Sequence, residues 1–227
     1  MEHLLLLHGA LGAADQLNPL KQLLKDKFTV HSFNFNGHGG ASFPGAAFSI
    51  AGFAEEIGAY LLAHRIERTY IFGYSMGGYA ALYFAAQHAQ KVAGVVTLAT
   101  KFYWDETTAA KEITMLNPAK IEEKVPAFAK VLAARHSDWK LLLQQTAGMM
   151  LEMGKRNPLV GTGYSTIETP VLLMLGDRDK MVSLDETVNV YKRLPNAALC
   201  VLPNTDHPIE KVGAERIAFE VERFCKG

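Results

Sequence analysis

The chain reads Gly73-Tyr74-Ser75-Met76-Gly77 at the junction of a short apolar strand and a run rich in small residues. The strand, Tyr70-Ile71-Phe72, is β-branched and aromatic, whereas residues 78–86 carry helix-forming side chains at helical spacing. Glycines on both sides of Ser75 permit a tight strand-to-helix turn without a Cβ clash. The pattern predicts a serine hydroxyl at the carboxyl edge of a sheet, beside a helix N-terminus that stabilises developing negative charge.

A serine hydroxyl is a weak nucleophile at neutral pH, so it requires a base, which itself needs an orienting carboxylate. His207 is the candidate base, because it follows the strand-like segment 199–202 in a polar loop. Two carboxylates, Asp177 and Asp179, follow the apolar strand 169–175 at the same edge of the predicted sheet. Spacing alone does not separate these two aspartates. The chain order Ser, Asp, His is that of one lineage of catalytic triads.

Predicted strands and helices alternate along most of the chain. Strands are expected near 3–8, 28–34, 69–74, 92–99, 169–175 and 198–202, and helices near 15–25, 49–64, 76–89, 184–194 and 208–225. This alternation predicts an α/β fold, with a mostly parallel sheet of about six strands and helices on both faces. Ligands of such folds bind at the carboxyl ends of the strands, where the serine, the aspartates and the histidine all lie.

The alternation stops after the fourth strand, between residues 101 and 165. No strand is predicted there, and helix starts are indicated by the capping pairs Asn117-Pro118 and Ser137-Asp138. We expect this segment to form a helical lid over Ser75 within one domain spanning residues 1–227. Its large apolar side chains either pack the lid against the core or line an apolar pocket. They are Phe102, Tyr103, Trp104, Met115, Phe128, Trp139, Met149, Met150 and Met153.

Five motifs, in this order, resemble those of the α/β-hydrolase family, and the resemblance runs nearly end to end. His8-Gly9 resembles the family's oxyanion turn, Gly37-His38-Gly39 its glycine-rich turn, and residues 73–78 its nucleophile elbow. Residues 176–182 resemble the acid turn, and Asp206-His207 stands where the family usually has Gly-His. The family's acid lies three residues after the glycine of that turn, so the resemblance favours Asp179 over Asp177.

The resemblance implies the mechanism of a serine hydrolase. Ser75 attacks a carbonyl carbon, His207 takes and returns the proton, and Asp179 orients the imidazole. The oxyanion is expected to form against the backbone N–H groups of Ala10 and Met76. Substrate contacts are expected from Leu11, Tyr74, Phe102, Tyr103 and Trp104.

The expected activity is hydrolysis of carboxylic esters or thioesters with a small to medium, largely apolar acyl group. Two alternatives stay open. One is a C–C bond hydrolase or lyase that uses the same triad and places arginines near the site for acidic substrates; the lid offers Arg135 and Arg156. The other is a ligand-binding receptor with slow turnover. Ester, thioester, lactone and C–C bonds are served by the same triad, so the sequence does not fix the substrate.

The other histidines are expected to be structural. His8 is predicted to hold its own turn through hydrogen bonds, His38 to be structural or at the rim, and His136 to lie without convergent ligands. One departure from the family pattern is Asn34, where relatives often have Asp ahead of the glycine-rich turn. This change alters the rim of the site and leaves the triad intact.

Composition argues against several other functions. Lys+Arg and Asp+Glu balance at 23 each in 227 residues, so no basic stripe indicates nucleic-acid binding. No signal peptide is recognised, and no run approaches the roughly 20 apolar residues of a membrane span, which favours a cytoplasmic protein without a membrane partner. No metal-ligand spacing or nucleotide fingerprint is present, so no metal or cofactor is expected. The expected partner is a small ester-like molecule, and the chain is expected to be a monomer or a homodimer.

Overall fold

A computed structural model describes residues 1–43 and 48–227 of the chain. Six parallel strands form one sheet in the order β2-β1-β3-β4-β5-β6. The strands are β1 (His3–Leu7), β2 (Thr29–Ser32), β3 (Thr69–Tyr74), β4 (Val92–Leu98), β5 (Val171–Gly176) and β6 (Ala197–Leu202). The predicted parallel α/β fold is therefore confirmed, and every predicted strand is present.

Ten helices surround or extend from this sheet in the described residues. They are α1 (Asn18–Leu24), α2 (Ile50–Ala63), α3 (Met76–Gln87), α4 (Glu106–Ile113), α5 (Pro118–Lys124), α6 (Pro126–Arg135), α7 (Trp139–Lys155), α8 (Pro158–Thr162), α9 (Leu184–Tyr191) and α10 (Ala214–Lys226). Helices α1 and α10 share one apolar cluster with the sheet, and α2, α3 and α9 share the other.

The strand β1 shows why both faces must be covered. Its four leucines are fully buried. Because successive side chains of a strand point to opposite faces, Leu5 and Leu7 join the cluster with α2 and α3, whereas Leu4 and Leu6 join the cluster with α1 and α10. A run that is apolar at every position is stable only in a sheet buried on both sides.

The C-terminal helix begins later than the sequence predicts. Helix α10 starts at Ala214, whereas Pro208 precedes a single 3-10 turn at Ile209–Lys211. The helix is interrupted because Val212 and Gly213 adopt extended backbone angles. Once started, α10 is amphipathic and buries Ile217, Ala218, Val221 and Cys225.

The segment between β4 and β5 is helical, as predicted. The side chain of Asn117 accepts the Lys120 N–H at the start of α5, and that of Asp138 accepts the Leu141 N–H at the start of α7. Both predicted helix starts are thus confirmed. We call residues 101–165 the insertion. A small apolar cluster holds its outer helices together, and it consists of Ile121, Ala129, Leu132 and Leu143.

None of the described helices is long and apolar enough to cross a membrane.

Candidate active site

The turn between β3 and α3 holds Ser75 in a strained backbone conformation. Its φ is 50° and its ψ is −116°, a region that costs a residue with a Cβ of order 1–3 kcal/mol. The Ser75 N–H donates to the Leu98 carbonyl at 2.8 Å, and the Ser75 carbonyl accepts the Thr100 hydroxyl at 3.0 Å. These bonds tie the strained turn to the end of β4 and keep the serine at the carboxyl edge of the sheet.

Glycines allow α3 to approach the sheet closely at this turn. A Cβ on Gly77 would lie 2.5 Å from the His8 carbonyl oxygen, and a Cβ on Gly73 would lie 2.4 Å from the Gly78 nitrogen. Both contacts are with backbone, so no side-chain rotation relieves them. The glycine pattern that identified the turn is therefore a requirement of packing.

Gly77→Ala is expected to lower the free energy of unfolding by about 1–3 kcal/mol, because the added methyl group forces α3 away from β1. Gly148→Ala is the matched control, since Gly148 lies within α7 and its Cβ would meet nothing within 4 Å. We expect that substitution to stabilise the fold by about 0.5–1 kcal/mol through helix propensity. Urea unfolding followed by circular dichroism measures both changes. Equal effects would contradict the close approach of α3 to β1.

The predicted base and acid are in direct contact. His207 Nδ1 lies 2.7 Å from Oδ2 of Asp179, whose side chain is fully buried. The other carboxylate oxygen of Asp179 accepts the N–H groups of Met181 and Val182 at 2.8 and 2.9 Å. These donors fix the carboxylate, so it holds the ring with the proton on Nδ1 and leaves Nε2 as the acceptor.

Asp177 has a different position in the same turn. Its Oδ1 accepts the Thr205 N–H at 3.1 Å. This bond to the loop backbone lowers the pKa of the Asp177 carboxyl group, because it stabilises the charged form. Asp177 thus anchors the loop that carries His207. The geometry selects Asp179 as the partner of His207, a choice that spacing left open and the family pattern favoured.

His8 holds the turn that follows β1. Its Nδ1 lies 2.8 Å from the Gly9 carbonyl oxygen, and its Nε2 accepts the Phe35 N–H at 3.1 Å. Burial lowers the pKa of His8 to about 4, so the ring is neutral at pH 7 and donates from Nδ1. Because a peptide group is planar and trans, a Gly9 carbonyl directed at His8 points the Ala10 N–H to the opposite side. These contacts match the structural role expected for His8.

Four of the candidate catalytic and oxyanion-hole residues meet in one cavity. Ser75 and His207 line it together with Ala10 and Met76. Met76 is the first residue of α3, where an N–H has no acceptor within the helix. The cavity is therefore lined by a serine, by a histidine that a carboxylate orients, and by two residues with backbone N–H groups, which are the groups that acyl transfer requires.

The remaining wall of the cavity is mainly flexible and apolar. Its side chains include Ile50, Tyr79, Trp104, Val182 and five methionines, at positions 76, 149, 150, 153 and 181. Trp104 and the α7 methionines line the pocket, and Met149 and Met153 also belong to the buried main core, so both interpretations of the insertion's large side chains hold for these two. Met115 and Phe128 instead point outwards, with 74% and 41% of their surface exposed. Methionine adapts its shape easily, so this wall can conform to ligands of different shape.

Two aromatic residues expected in the pocket lie elsewhere. Phe102 is buried in the main core, and Tyr103 is 57% exposed and donates its hydroxyl to Asp105 at 2.8 Å. The physical reason is the backbone of this segment, since Glu186 Oε1 accepts the N–H groups of both residues at 3.0 and 3.3 Å. Their side chains consequently point in different directions, one inwards and one to solvent.

The predicted contacts Leu11 and Tyr74 are also outside the set of residues that line the described cavity. Leu11 packs against the small apolar cluster of the insertion. Tyr74 lies under the base, where its hydroxyl donates to the His207 carbonyl at 3.1 Å. Both side chains therefore support the site indirectly, because Leu11 holds the insertion and Tyr74 holds the loop that carries His207.

Two charged residues of the cavity were not predicted. Lys101 and Glu112 both line it. The Lys101 ammonium donates to the Met181 carbonyl at 2.9 Å and lies 3.6 Å from the Glu112 carboxylate and 3.8 Å from that of Glu186. The place of Lys101 near the end of a strand was a usable signal. No sequence signal marks Glu112 as a cavity residue, because the placement of α4 depends on tertiary packing.

His136 and Asn34 contribute more than the sequence indicates. His136 is buried and hydrogen-bonded to the backbone of Leu11 and Gly39, so it joins two turns of the chain, a role that the sequence did not indicate. Asn34 Nδ2 donates to the Gly39 carbonyl at 3.0 Å, and its Oδ1 accepts the Ala14 N–H at 2.7 Å. An ionised aspartate accepts only, so it could not make the first of these bonds.

Comparison with known proteins agrees with this architecture. A sequence model of the α/β hydrolase fold family matches residues 2–139, and the chain therefore belongs to that family. It is similar to a 2-(acetamidomethylene)succinate hydrolase of Mesorhizobium japonicum, with 23% identity over 93% of this chain and 84% of the relative.

Solved structures show the same fold across the chain. The crystal structure of an E-2-(acetamidomethylene)succinate hydrolase matches with a TM-score of 0.82 and 21% identity, over 100% of this chain and 92% of that one. A thermophilic esterase from Thermogutta terrifontis matches with a TM-score of 0.77 and 18% identity, over 98% of this chain and 89% of that one. Together with the family match, these likenesses show that the chain has the α/β-hydrolase fold.

Proposed function

We propose that this protein is a serine hydrolase that cleaves carboxylic esters or thioesters with small to medium, largely apolar acyl groups. The observation that carries the proposal is the 2.7 Å contact between His207 and Asp179 beside the cavity that the strained Ser75 lines. Few arrangements other than acyl transfer explain a buried carboxylate, an oriented imidazole and a serine at positive φ in one place.

The reaction follows from the positions of these groups. Ser75 Oγ attacks the carbonyl carbon while His207 Nε2 takes the hydroxyl proton, and Asp179 stabilises the charged imidazole. The negative oxygen of the tetrahedral intermediate accepts the N–H groups of Ala10 and Met76. Each such donor contributes about 3–4 kcal/mol to the transition state. His207 then protonates the leaving group, and a water molecule repeats the cycle on the acyl-enzyme.

The charges around the cavity favour neutral over acidic substrates. The one ammonium in its described wall, on Lys101, is already matched by the Glu112 and Glu186 carboxylates and by the Met181 carbonyl. A substrate carboxylate would face Glu112, whose own nearest opposite charge is this shared lysine. Like charges in a confined site repel strongly.

The two arginines that acidic substrates would need are placed elsewhere. Arg135 donates to the Leu11 carbonyl at 3.3 Å and lies 3.8 Å from Glu210. Arg156 lines a neighbouring groove, which shares Ile50 and two methionines with the cavity but contains neither Ser75 nor His207. This supports the ester interpretation over a C–C hydrolase or lyase of acidic substrates.

We expect p-nitrophenyl hexanoate to be hydrolysed with a kcat/KM at least about tenfold above that of the p-nitrophenyl monoester of adipic acid, which ends in a carboxylate. Glu112→Gln should reduce this ratio several-fold, because it removes the repelling charge. Glu106→Gln, an exposed change on the same helix α4, is the control and should leave the ratio unchanged. Preference of the wild type for the acidic ester would contradict the charge argument.

The proposal itself is tested by intact-protein mass after incubation with a fluorophosphonate, together with turnover of p-nitrophenyl esters of increasing chain length. One covalent adduct that requires Ser75, with a chain-length optimum in turnover, would support a serine esterase. An adduct without turnover would favour C–C chemistry or a receptor. No adduct would show that the serine is not activated.

A further inference from the structure

One buried histidine connects the insertion to the turn that follows β1. His136 directly follows α6, and its Nδ1 accepts the Gly39 N–H at 2.9 Å, while its Nε2 lies 3.0 Å from the Leu11 carbonyl oxygen. An N–H can only donate and a carbonyl can only accept, so the ring is neutral and carries its proton on Nε2. Burial lowers the pKa of His136, which favours this neutral form.

The Leu11 carbonyl is the start of a chain of two peptide groups. It belongs to the same planar peptide as the Gly12 N–H, and that N–H donates to the Gly9 carbonyl at 3.1 Å. The Gly9 carbonyl in turn shares its peptide with the Ala10 N–H. Because C=O and N–H point in opposite directions across a trans peptide, the donor at Leu11 fixes the direction of the Ala10 N–H through two hydrogen bonds.

The turn needs this support because it is strained. Leu11 has a φ of 58°, a left-handed conformation that is unfavourable for a residue with a Cβ. Arg135 Nη1 also donates to the Leu11 carbonyl at 3.3 Å. Two neighbouring side chains at the end of α6 thus hold the Leu11 carbonyl, while His8 holds the Gly9 carbonyl of the same turn.

We propose that His136 is a positioning residue for the oxyanion hole, and that it fixes the Ala10 N–H through the Leu11–Gly12 and Gly9–Ala10 peptides. The inference rests on the proposed function, which assigns Ala10 its role. Hydrogen bonds in a chain polarise one another, so the relay also makes the Ala10 N–H a stronger donor. The oxyanion hole is then complete only when the end of α6 is seated on the turn.

His136→Phe tests the relay, because it keeps a buried ring and removes both hydrogen bonds. We expect kcat to fall by about 10–100-fold with little change in KM, since a misplaced oxyanion donor affects the transition state more than the bound substrate. The affinity for butane-1-boronic acid, which forms a tetrahedral adduct with a catalytic serine, should fall by a similar factor.

The matched control is Asn157→Ala. Asn157 also bonds the insertion to the core, through the Phe102 carbonyl at 2.9 Å and the Tyr79 hydroxyl, and none of its hydrogen bonds in the described part of the chain is to the turn after β1. It should lower the urea midpoint without a selective loss of boronate affinity. A folded His136→Phe with wild-type kcat and boronate affinity, or with losses no larger than those of Asn157→Ala, would overturn the inference. A wild type that neither hydrolyses esters nor binds the boronic acid would overturn the proposed function as well.

If His136→Phe does not fold, NMR of the wild-type protein tests the hydrogen-bond relay instead. On binding of the boronic acid, the amide protons of Ala10 and Gly12 and the ring proton of His136 should move downfield together, because the bonds of a chain strengthen cooperatively. Movement of the Ala10 proton alone would overturn the relay.

Discussion

Ser75→Ala is expected to lower kcat/KM for p-nitrophenyl esters by at least about 10⁴-fold while the fold stays intact. The reason is chemical, since the substitution removes the atom that forms the acyl-enzyme, and the remaining donors and pocket can only stabilise direct attack by water. The strain at this position persists, because alanine also carries a Cβ at a φ of 50°. Steady-state turnover and circular dichroism give the two readouts.

The control for this loss is Ser165→Ala, which changes an exposed serine near the end of the insertion. Its turnover should equal that of the wild type. Near-normal turnover of Ser75→Ala would remove Ser75 from the role of nucleophile. A large loss together with a lowered urea midpoint would instead point to a folding defect.

The fold was predictable because its signals are local. The apolar strands, the helix caps at Asn117 and Asp138, and the glycines around Ser75 each follow from a few consecutive residues. The main error, at the start of α10, arose where two extended residues interrupt a segment that begins with a good helix-starting proline. Such an interruption has no local signal as strong as Pro208 itself.

The candidate triad was predictable for a similar reason. The ends of parallel strands meet at one edge of the sheet, so Ser75, the aspartates and His207 were expected together. The same reasoning could not choose between Asp177 and Asp179, because both lie in one tight turn and differ in the direction of their side chains rather than in their location. The structure resolves it through the bonds that Asp179 accepts from the N–H groups of Met181 and Val182.

The pocket was much less predictable, since it depends on contacts that are distant in sequence. The directions of Phe102 and Tyr103 depend on Glu186, which is more than 80 positions away in the chain. The contact between Leu11 and His136 joins residues 125 positions apart. No periodicity or motif records such pairs, so both the charged part of the cavity and the role of His136 emerge only in three dimensions.

Asp179→Asn is expected to lower kcat/KM by about 10³–10⁴-fold, whereas Asp177→Asn should lower it by less than about tenfold. An asparagine at 179 presents an amide that can donate to His207 Nδ1, which stabilises the tautomer with its proton on Nε2 and removes the acceptor that Ser75 needs. Asp177 only accepts a backbone N–H of the histidine loop, so its loss loosens the loop without changing the tautomer. Steady-state kinetics of the two variants, measured side by side, check this order.

A second readout separates the chemical effect from a structural one. The proton between His207 Nδ1 and the Asp179 carboxylate, across 2.7 Å, should give a downfield NMR resonance in the wild type and in Asp177→Asn. It should be absent in Asp179→Asn at unchanged urea midpoint. A larger loss of kcat/KM in Asp177→Asn than in Asp179→Asn, with the resonance also lost in Asp177→Asn, would assign the role of the acid to Asp177. The contact that now defines the site would then be one of packing only.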